Sequence, residues 1–205
     1  MSGIYIHIPF CKQACHYCDF HFSTNLKKKD EMVLALAKEI EMRKSEFQDE
    51  IVETIYFGGG TPSILQIADL KFLIDAVYKN YKVVENPEIT VEANPDDLTE
   101  NRIIELSNNK VNRLSIGIQS FFEDDLQLMN RAHNVEEAKK CLEIATHYFD
   151  NISIDLIYGV PEMSNEKWLQ NIETALSFGV PHISSYALTV EPKTALHSFI
   201  QKGII

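Results

Sequence analysis

Residues 113–119 read Arg113-Leu-Ser-Ile-Gly-Ile-Gln119, in which large apolar side chains alternate with polar or small ones. A period of two predicts a β-strand, because successive side chains of a strand point to opposite faces of the sheet. One face of this strand is apolar, and the other carries Arg113, Ser115, Gly117 and Gln119. The same alternation occurs at 3–8, 88–93 and 152–158. Parallel strands that are covered on both faces usually read as continuous apolar runs, so the polar face needs a different environment.

Strands and helices alternate along the whole chain, without a hairpin signal. The predicted strands lie at 3–8, 52–57, 88–93, 113–118, 152–158 and 182–188. The predicted helices lie at 29–47, 67–81, 99–107, 123–130, 134–147 and 166–178, and residues 191–205 are enough for an incomplete helix. Asn134 is a predicted N-cap, with Glu137 completing a capping box. This order of elements calls for a parallel sheet with crossover helices.

The polar strand faces predict a ligand-filled cavity. A closed eight-stranded barrel fills its interior with branched apolar side chains, which are missing from these faces. We therefore predict an α/β fold, an open partial (β/α)6 TIM-like barrel of parallel strands with outer helices, which encloses a sizeable polar ligand. One core domain is expected over residues 1–205, with a further C-terminal domain absent from this chain.

The overall composition restricts the partners. The chain has 205 residues and a formal net charge of −11. It has no basic stripe for a phosphate backbone, so no nucleic-acid partner is expected. No window approaches the ~20 apolar residues of a membrane span, and no signal peptide is recognised. We therefore expect a cytoplasmic protein.

Three of the four cysteines fall in one loop, Cys11-Lys-Gln-Ala-Cys15-His-Tyr-Cys18, just after the first predicted strand. A [4Fe–4S] cluster is usually held by four cysteine thiolates, so three of them leave one iron open to a non-protein ligand. The alternatives are a structural zinc site, with its fourth ligand drawn from His7, His16 or His21, and free thiols that bind no metal. Cys141 stands alone in a predicted helix and is expected to pack as a small buried hydrophobe.

Further polar or glycine-rich segments follow the other strands. Gly58-Gly59-Gly60-Thr61-Pro62 comes directly after the second strand. The glycines either allow a ligand to approach bare backbone or form a tight turn from strand to helix. Glu92, Gln119 and Asp155 lie at or near strand ends, which form the active face of an α/β barrel. The alternative for Glu92 is a salt bridge at a helix terminus or on the surface. Asp155 stands between two apolar residues, so it needs a partner, either a ligand or a neighbour such as Arg113. Arg131 is either a solvated side chain or a bidentate ligand for a carboxylate.

Several separate motifs together resemble the radical S-adenosylmethionine (SAM) superfamily. They are Tyr5-Ile-His-Ile-Pro-Phe-Cys11 with the cysteine loop, the GGGTP segment, Ser115-Ile-Gly-Ile-Gln-Ser120, Asn130-Arg131 and Ile154-Asp-Leu-Ile-Tyr-Gly-Val-Pro161. The combination is similar to the branch that contains oxygen-independent coproporphyrinogen III oxidase and the HemW-type haem chaperones.

The resemblance implies a role for each matching residue. The cluster ligands would be Cys11, Cys15 and Cys18, with SAM on the open iron. The SAM contacts would be Tyr5, Tyr17, Gly59, Gly60, Thr61, Glu92, Gln119, Arg131 and Asp155, together with Ala187 near the adenine. We expect Glu92, Gln119, Arg131 and Asp155 to lie away from the thiolate loop.

One position distinguishes the two functions in this branch. The oxidase has a fourth cysteine two residues after the third, where this chain has Phe20. The resemblance therefore implies a haem-chaperone type that binds SAM and haem and delivers haem to acceptor proteins such as respiratory cytochromes, some of them membrane-associated. An electron donor to the cluster is a further expected partner. The alternative is the oxidase, which decarboxylates coproporphyrinogen III by radical chemistry.

Overall fold

The computed structural model describes residues 2–46 and 50–205, which form one six-stranded sheet with helices between its strands. The strands are β1 (Ser2–Ile8), β2 (Val52–Gly59), β3 (Val83–Ala93), β4 (Arg113–Gln119), β5 (Ile152–Tyr158) and β6 (His182–Ala187). Their spatial order is β1-β2-β3-β4-β5-β6, and each neighbouring pair is parallel. The partial parallel barrel predicted from the sequence is confirmed, and it is open because β1 and β6 do not pair.

The helices connect successive strands. They are α1 (Lys29–Met42), α2 (Ile67–Asn80), α3 (Glu100–Ser107), α4 (Glu123–Leu128), α5 (Val135–Tyr148), α6 (Asn165–Ser177) and α7 (Ala195–Gln201). The predicted capping box of α5 is present: the Asn134 side chain accepts from the Glu137 N–H, and the Glu137 carboxylate accepts from the Asn134 N–H. None of the helices in the described part of the chain has the length and apolarity needed to cross a bilayer.

Two predicted boundaries were wrong by more than two residues. The helix predicted at 29–47 ends at Met42 and is followed by a 3₁₀ turn over Arg43–Glu46, while Phe47 lies outside the described residues. β3 begins at Val83, five residues before its predicted start at residue 88. Pro87 obscured this extension, since proline cannot donate to a strand ladder. The β2–β3 register shifts between Val52 and Thr54, and this irregularity accommodates the early start.

The hydrophobic core lies between the outer face of the sheet and the helices. Apolar residues of the central strands are fully buried there, among them Ile55, Phe57, Val91, Leu114, Ile116 and Ile154. They pack in one cluster with residues of the helices, including Leu73, Val77, Ile103 and Leu142. Cys141 is 2% exposed within α5, as predicted, and its burial raises the pKa of the thiol to about 12. The opposite, polar face of the sheet is left free to line the interior.

Candidate cluster and cofactor site

The cysteine loop leaves the carboxyl end of β1 and closes on itself. The Ser23 N–H donates to Pro9 O at 2.9 Å, and the Cys11 N–H donates to Ser23 O at 3.1 Å. The loop thus presents Cys11, Cys15 and Cys18 as partly exposed free thiols. Burial raises the pKa of Cys11 and of Cys18, which favours the neutral thiols when no cation is bound.

A turn after α4 holds the middle of this loop. The Gln13 side chain donates to Asn130 O at 2.9 Å and to Asn130 Oδ1 at 3.0 Å. In return, Asn130 Nδ2 donates to Ala14 O at 2.7 Å. Asn130 has a φ of 55°, a left-handed conformation that asparagine tolerates better than most residues. The loop is therefore shaped by the protein's own hydrogen bonds.

Arg131 follows this turn and contacts the cysteine loop directly. Its Nη1 lies 3.3 Å from Cys15 Sγ and 3.5 Å from the Tyr17 hydroxyl. Its Nη2 donates to Asn94 Oδ1 at 2.6 Å and to Gly117 O at 2.9 Å, while its buried Nε has no partner among the described residues. The expectation that Arg131 lies away from the thiolates was wrong, because the turn beside the loop brings the guanidinium within reach of Cys15.

The glycine segment runs along the end of β1, where side chains do not fit. A Cβ on Gly60 would lie 2.6 Å from Phe10 O, and one on Gly59 would lie 2.6 Å from the His7 ring. Gly59 also has a φ of 114°, which disfavours any other residue. The Gly60 N–H donates to Ile8 O, and the Thr61 N–H donates to Phe10 O. Close approach to β1 thus explains the glycines, and it ties this segment to the start of the cysteine loop.

Two partly buried carboxylates face the interior. Glu92 accepts from the Tyr56 hydroxyl at 2.8 Å and from the Gly59 N–H at 3.1 Å, and burial raises its pKa. Burial first, and then the charge of Glu92, raise the pKa of Asp155 to about 6 against a hydrogen bond from Ser184. Among the described residues, neither carboxylate forms an ion pair within 4 Å with a lysine, arginine or histidine.

Arg113 is not the ion-pair partner of Asp155 that the sequence offered as one option. Its guanidinium donates instead to the Thr90 and Ser153 hydroxyls, at 3.3 and 3.0 Å. The Ser153 hydroxyl donates in turn to Ser115 at 3.1 Å. Arg113 therefore belongs to a hydroxyl network across β3, β4 and β5, and the other option for Asp155, a ligand, remains.

The remaining predicted SAM contacts are Gln119, Tyr5 and Ala187, which lie on strands β4, β1 and β6. Gln119 is buried at the end of β4 with a φ of 67°, and a Cβ on Gly117 would lie 2.8 Å from its Nε2 and 3.1 Å from Arg131 Nη2. Tyr5 is 57% exposed, and its ring stacks on Tyr56 with centroids 5.8 Å apart. Ala187 is exposed at the end of β6.

Sequence reasoning missed two residues of this site, Asn94 and Tyr56. Asn94 accepts from Arg131, and its Nδ2 lies 3.4 Å from Thr61 Oγ1. Tyr56 bonds Glu92. Both positions carry a signal: Asn94 directly follows a strand end, and Tyr56 alternates with apolar residues on β2. Neither signal says which polar neighbour is bonded.

The donor set fits an iron–sulfur cluster better than a single zinc ion. Within residues 2–46 and 50–205, no three histidine, cysteine, aspartate or glutamate side chains gather closely enough to hold one metal ion. A [4Fe–4S] cluster needs no such convergence, because each thiolate binds a different iron. His16, one candidate fourth zinc ligand, has its Nδ1 2.8 Å from Leu128 O.

The fold and the cysteine loop together define the class of protein, which is a partial parallel barrel with a three-cysteine loop after its first strand. Residues 5–175 match the radical SAM superfamily, and the chain belongs to that superfamily.

Full-length sequence relatives narrow the comparison. The chain is 39% identical over 206 residues to the heme chaperone HemW of Bacillus subtilis (strain 168), which covers 99% of this chain and 54% of that protein. It is 38% identical over 200 residues to the heme chaperone HemW of Escherichia coli (strain K12), covering 96% of this chain and 53% of that protein. The chain thus spans about half the length of the curated relatives it matches, and its resemblance to the HemW-type chaperones is confirmed.

Solved structures share the fold. Coproporphyrinogen III oxidase (HemN) from Escherichia coli, described as a radical SAM enzyme, superposes with a TM-score of 0.86 at 28% identity, covering 98% of this chain and 46% of that one. The archaeal Methanocaldococcus infernus Elp3 superposes with a TM-score of 0.67 at 17% identity, covering 98% of this chain and 49% of that one, which shows the fold alone. The radical SAM superfamily implies a [4Fe–4S] cluster and SAM as cofactors.

Proposed function

We propose that this chain is the radical SAM core of a cytoplasmic haem chaperone of the HemW type, with residues 1–205 as its core domain. The observation that carries the proposal is 39% identity to such a chaperone over 99% of the chain. Phe20 supports it, because an apolar side chain that is 73% exposed stands where the oxidase has a fourth cysteine.

The cluster would be held by Cys11, Cys15 and Cys18, with Arg131 beside Cys15. Its guanidinium would stabilise the negative charge of a Cys15 thiolate at the 3.3 Å separation observed. When bound together, a reduced cluster and SAM supply one-electron chemistry at the sulfonium group.

SAM would be oriented by the strand ends that surround the loop. The N–H groups of Gly59 and Gly60 are bonded within the protein, so an ammonium group there would donate to backbone carbonyl oxygens. Glu92 and Asp155 offer carboxylates to the cationic and hydroxyl groups of the ligand. The other proposed contacts are Tyr5, Tyr17, Thr61, Gln119, Arg131 and Ala187.

Haem would be the cargo, passed to acceptor proteins such as respiratory cytochromes, including membrane-associated ones, with a separate electron donor to the cluster. The second candidate function is coproporphyrinogen III oxidase, which the TM-score of 0.86 to HemN favours. Phe20 argues against it.

Anaerobic reconstitution of the full-length protein, followed by two parallel assays, separates these functions. We expect stoichiometric haem binding in a spectral titration and no decarboxylation of coproporphyrinogen III. The B. subtilis HemW and E. coli HemN proteins serve as the matched references for the two assays. Efficient decarboxylation without stable haem binding would reverse the order of the two candidates.

A further inference from the structure

His16 stands between two of the loop cysteines and joins three separate parts of the structure. Its backbone N–H donates to Met129 O at 3.0 Å, and its Nδ1 lies 2.8 Å from Leu128 O. Its carbonyl accepts from the Leu196 N–H at 2.8 Å, and its ring meets the Phe199 ring edge to face, with centroids 4.9 Å apart. The cysteine loop, the turn after α4 and helix α7 therefore meet at this residue.

The contact with Leu128 fixes where the imidazole carries its proton. A carbonyl oxygen can only accept a hydrogen bond, so Nδ1 must be the donor. Neutral His16 is then the Nδ1–H tautomer. This bond runs from one side chain to one backbone atom, so a different side chain can mimic it only if it places a donor at the same point.

The bonded turn continues into Arg131, which reaches back to the loop. His16 bonds the carbonyl groups of Leu128 and Met129, and Arg131 follows Met129 by two residues. The Arg131 Nη1 atom contacts the sulfur of Cys15, which is the residue before His16. This forms a small closed ring of contacts. A shift of the turn relative to His16 would move the guanidinium relative to the Cys15 sulfur.

We propose that His16 is a positioning residue, whose Nδ1–H bond to Leu128 holds Arg131 in register with Cys15. His16 itself does not bind the cluster. The contacts with Leu196 and Phe199 make the position of α7 part of the same arrangement. The proposal rests on the cluster and SAM site of the proposed function, and it is independent of haem as cargo.

Asparagine and glutamine replacements distinguish this role from simple packing. An asparagine amide nitrogen takes nearly the place of imidazole Nδ1, whereas that of glutamine falls closer to Nε2. For His16→Ala we expect retained iron content, a Kd for SAM raised about three- to tenfold, and a weaker SAM-induced change in the EPR spectrum of the reduced cluster. His16→Asn should return all three readouts to within about twofold of wild type, and His16→Gln should resemble alanine. His147→Ala, at an exposed histidine on α5, is the matched control and should behave as wild type.

Hydrogen exchange in the cluster-free protein provides a second readout that requires no cofactor. The backbone amide of residue 16 should exchange faster in His16→Ala and His16→Gln than in wild type and His16→Asn. The reason is that its hydrogen bond to Met129 O depends on the turn after α4, which the His16 side chain holds. Equal SAM affinity and exchange in wild type and His16→Ala would overturn the proposal, as would a glutamine variant that performs as well as asparagine. Loss of iron in both the alanine and asparagine variants would also overturn it, since that pattern indicates a ligand. A wild-type protein that binds no SAM would count against the proposed function, while the exchange data would still decide the role of His16.

Discussion

Replacing Asp155 with asparagine should make the protein more stable and worse at binding SAM. Asp155 has a pKa of about 6 in the folded protein against an ordinary value of 3.8, first because it is buried and then because Glu92 is near. The folded state thus holds a proton on Asp155 more tightly than the unfolded state does. Stability from this group is fully present below pH 4 and is lost as the pH rises through 6.

The size of this effect follows from the two pKa values. One unit corresponds to about 1.4 kcal/mol, so above pH 7 an ionised Asp155 costs the folded state about 3 kcal/mol, and at pH 4 only about 0.5 kcal/mol. Asparagine keeps the shape and can still accept from Ser184, but it adds N–H groups that need partners. We therefore expect Asp155→Asn to raise the free energy of unfolding by about 1–3 kcal/mol at pH 8 and by much less at pH 4.

Urea titrations of the cluster-free protein at pH 4 and pH 8 measure this difference. Asp150→Asn, at an exposed aspartate a few residues away, is the control and should change stability by less than about 0.5 kcal/mol at either pH. In the reconstituted protein, Asp155→Asn should weaken SAM binding about ten- to a hundredfold. A loss of stability in Asp155→Asn at pH 8, or an effect that does not depend on pH, would show that ionised Asp155 does not destabilise the folded protein.

Three further predictions concern the loop and its neighbours. Alanine at Cys11, Cys15 or Cys18 should abolish iron and sulfide binding after anaerobic reconstitution, whereas Cys141→Ala should keep it because Cys141 is buried in α5; iron loss in a folded Cys141→Ala protein would show that the ligand set is wrong. Arg131→Ala and Glu92→Gln should each lower SAM affinity, as calorimetry would show, and should leave the iron content largely intact, because the three thiolates hold the cluster; loss of iron from a folded Arg131→Ala protein contradicts this. Gly60→Ala should destabilise the protein by about 1–3 kcal/mol in thermal unfolding, because its Cβ would meet Phe10 O at 2.6 Å, and an unchanged Tm argues against a tight contact there.

The sheet could be predicted from sequence because each strand carries its own signal. The alternation of apolar and polar residues in residues 113–119 gives both the strand and its two different faces, and the capping box at Asn134 marks a helix start. These signals are local, so they survive without knowledge of the tertiary contacts. The start of β3 was missed since Pro87 breaks the local pattern, while the neighbouring strand still pairs with Val83.

The contacts of the candidate site depend on distances between remote segments, and the sequence contains no local signal for these. Arg131 is 116 residues from Cys15, yet a turn places its guanidinium against the sulfur. The bond between His16 and Leu128 spans 112 residues and is equally invisible in the motif. The sequence motifs identify the residue types that the chemistry requires, and the structure shows which of these residues are in contact.

EPR spectra of the anaerobically reconstituted, reduced protein, recorded with and without SAM alongside iron and sulfide analysis, show whether the chain holds a [4Fe–4S] cluster that SAM binds. We expect roughly four iron and four sulfide per chain, a reduced [4Fe–4S] signal, and a change in that signal when SAM binds the open iron. A protein that retains about one zinc and no iron, or a cluster whose signal SAM leaves unchanged, would show that this chain is not a SAM-binding iron–sulfur protein.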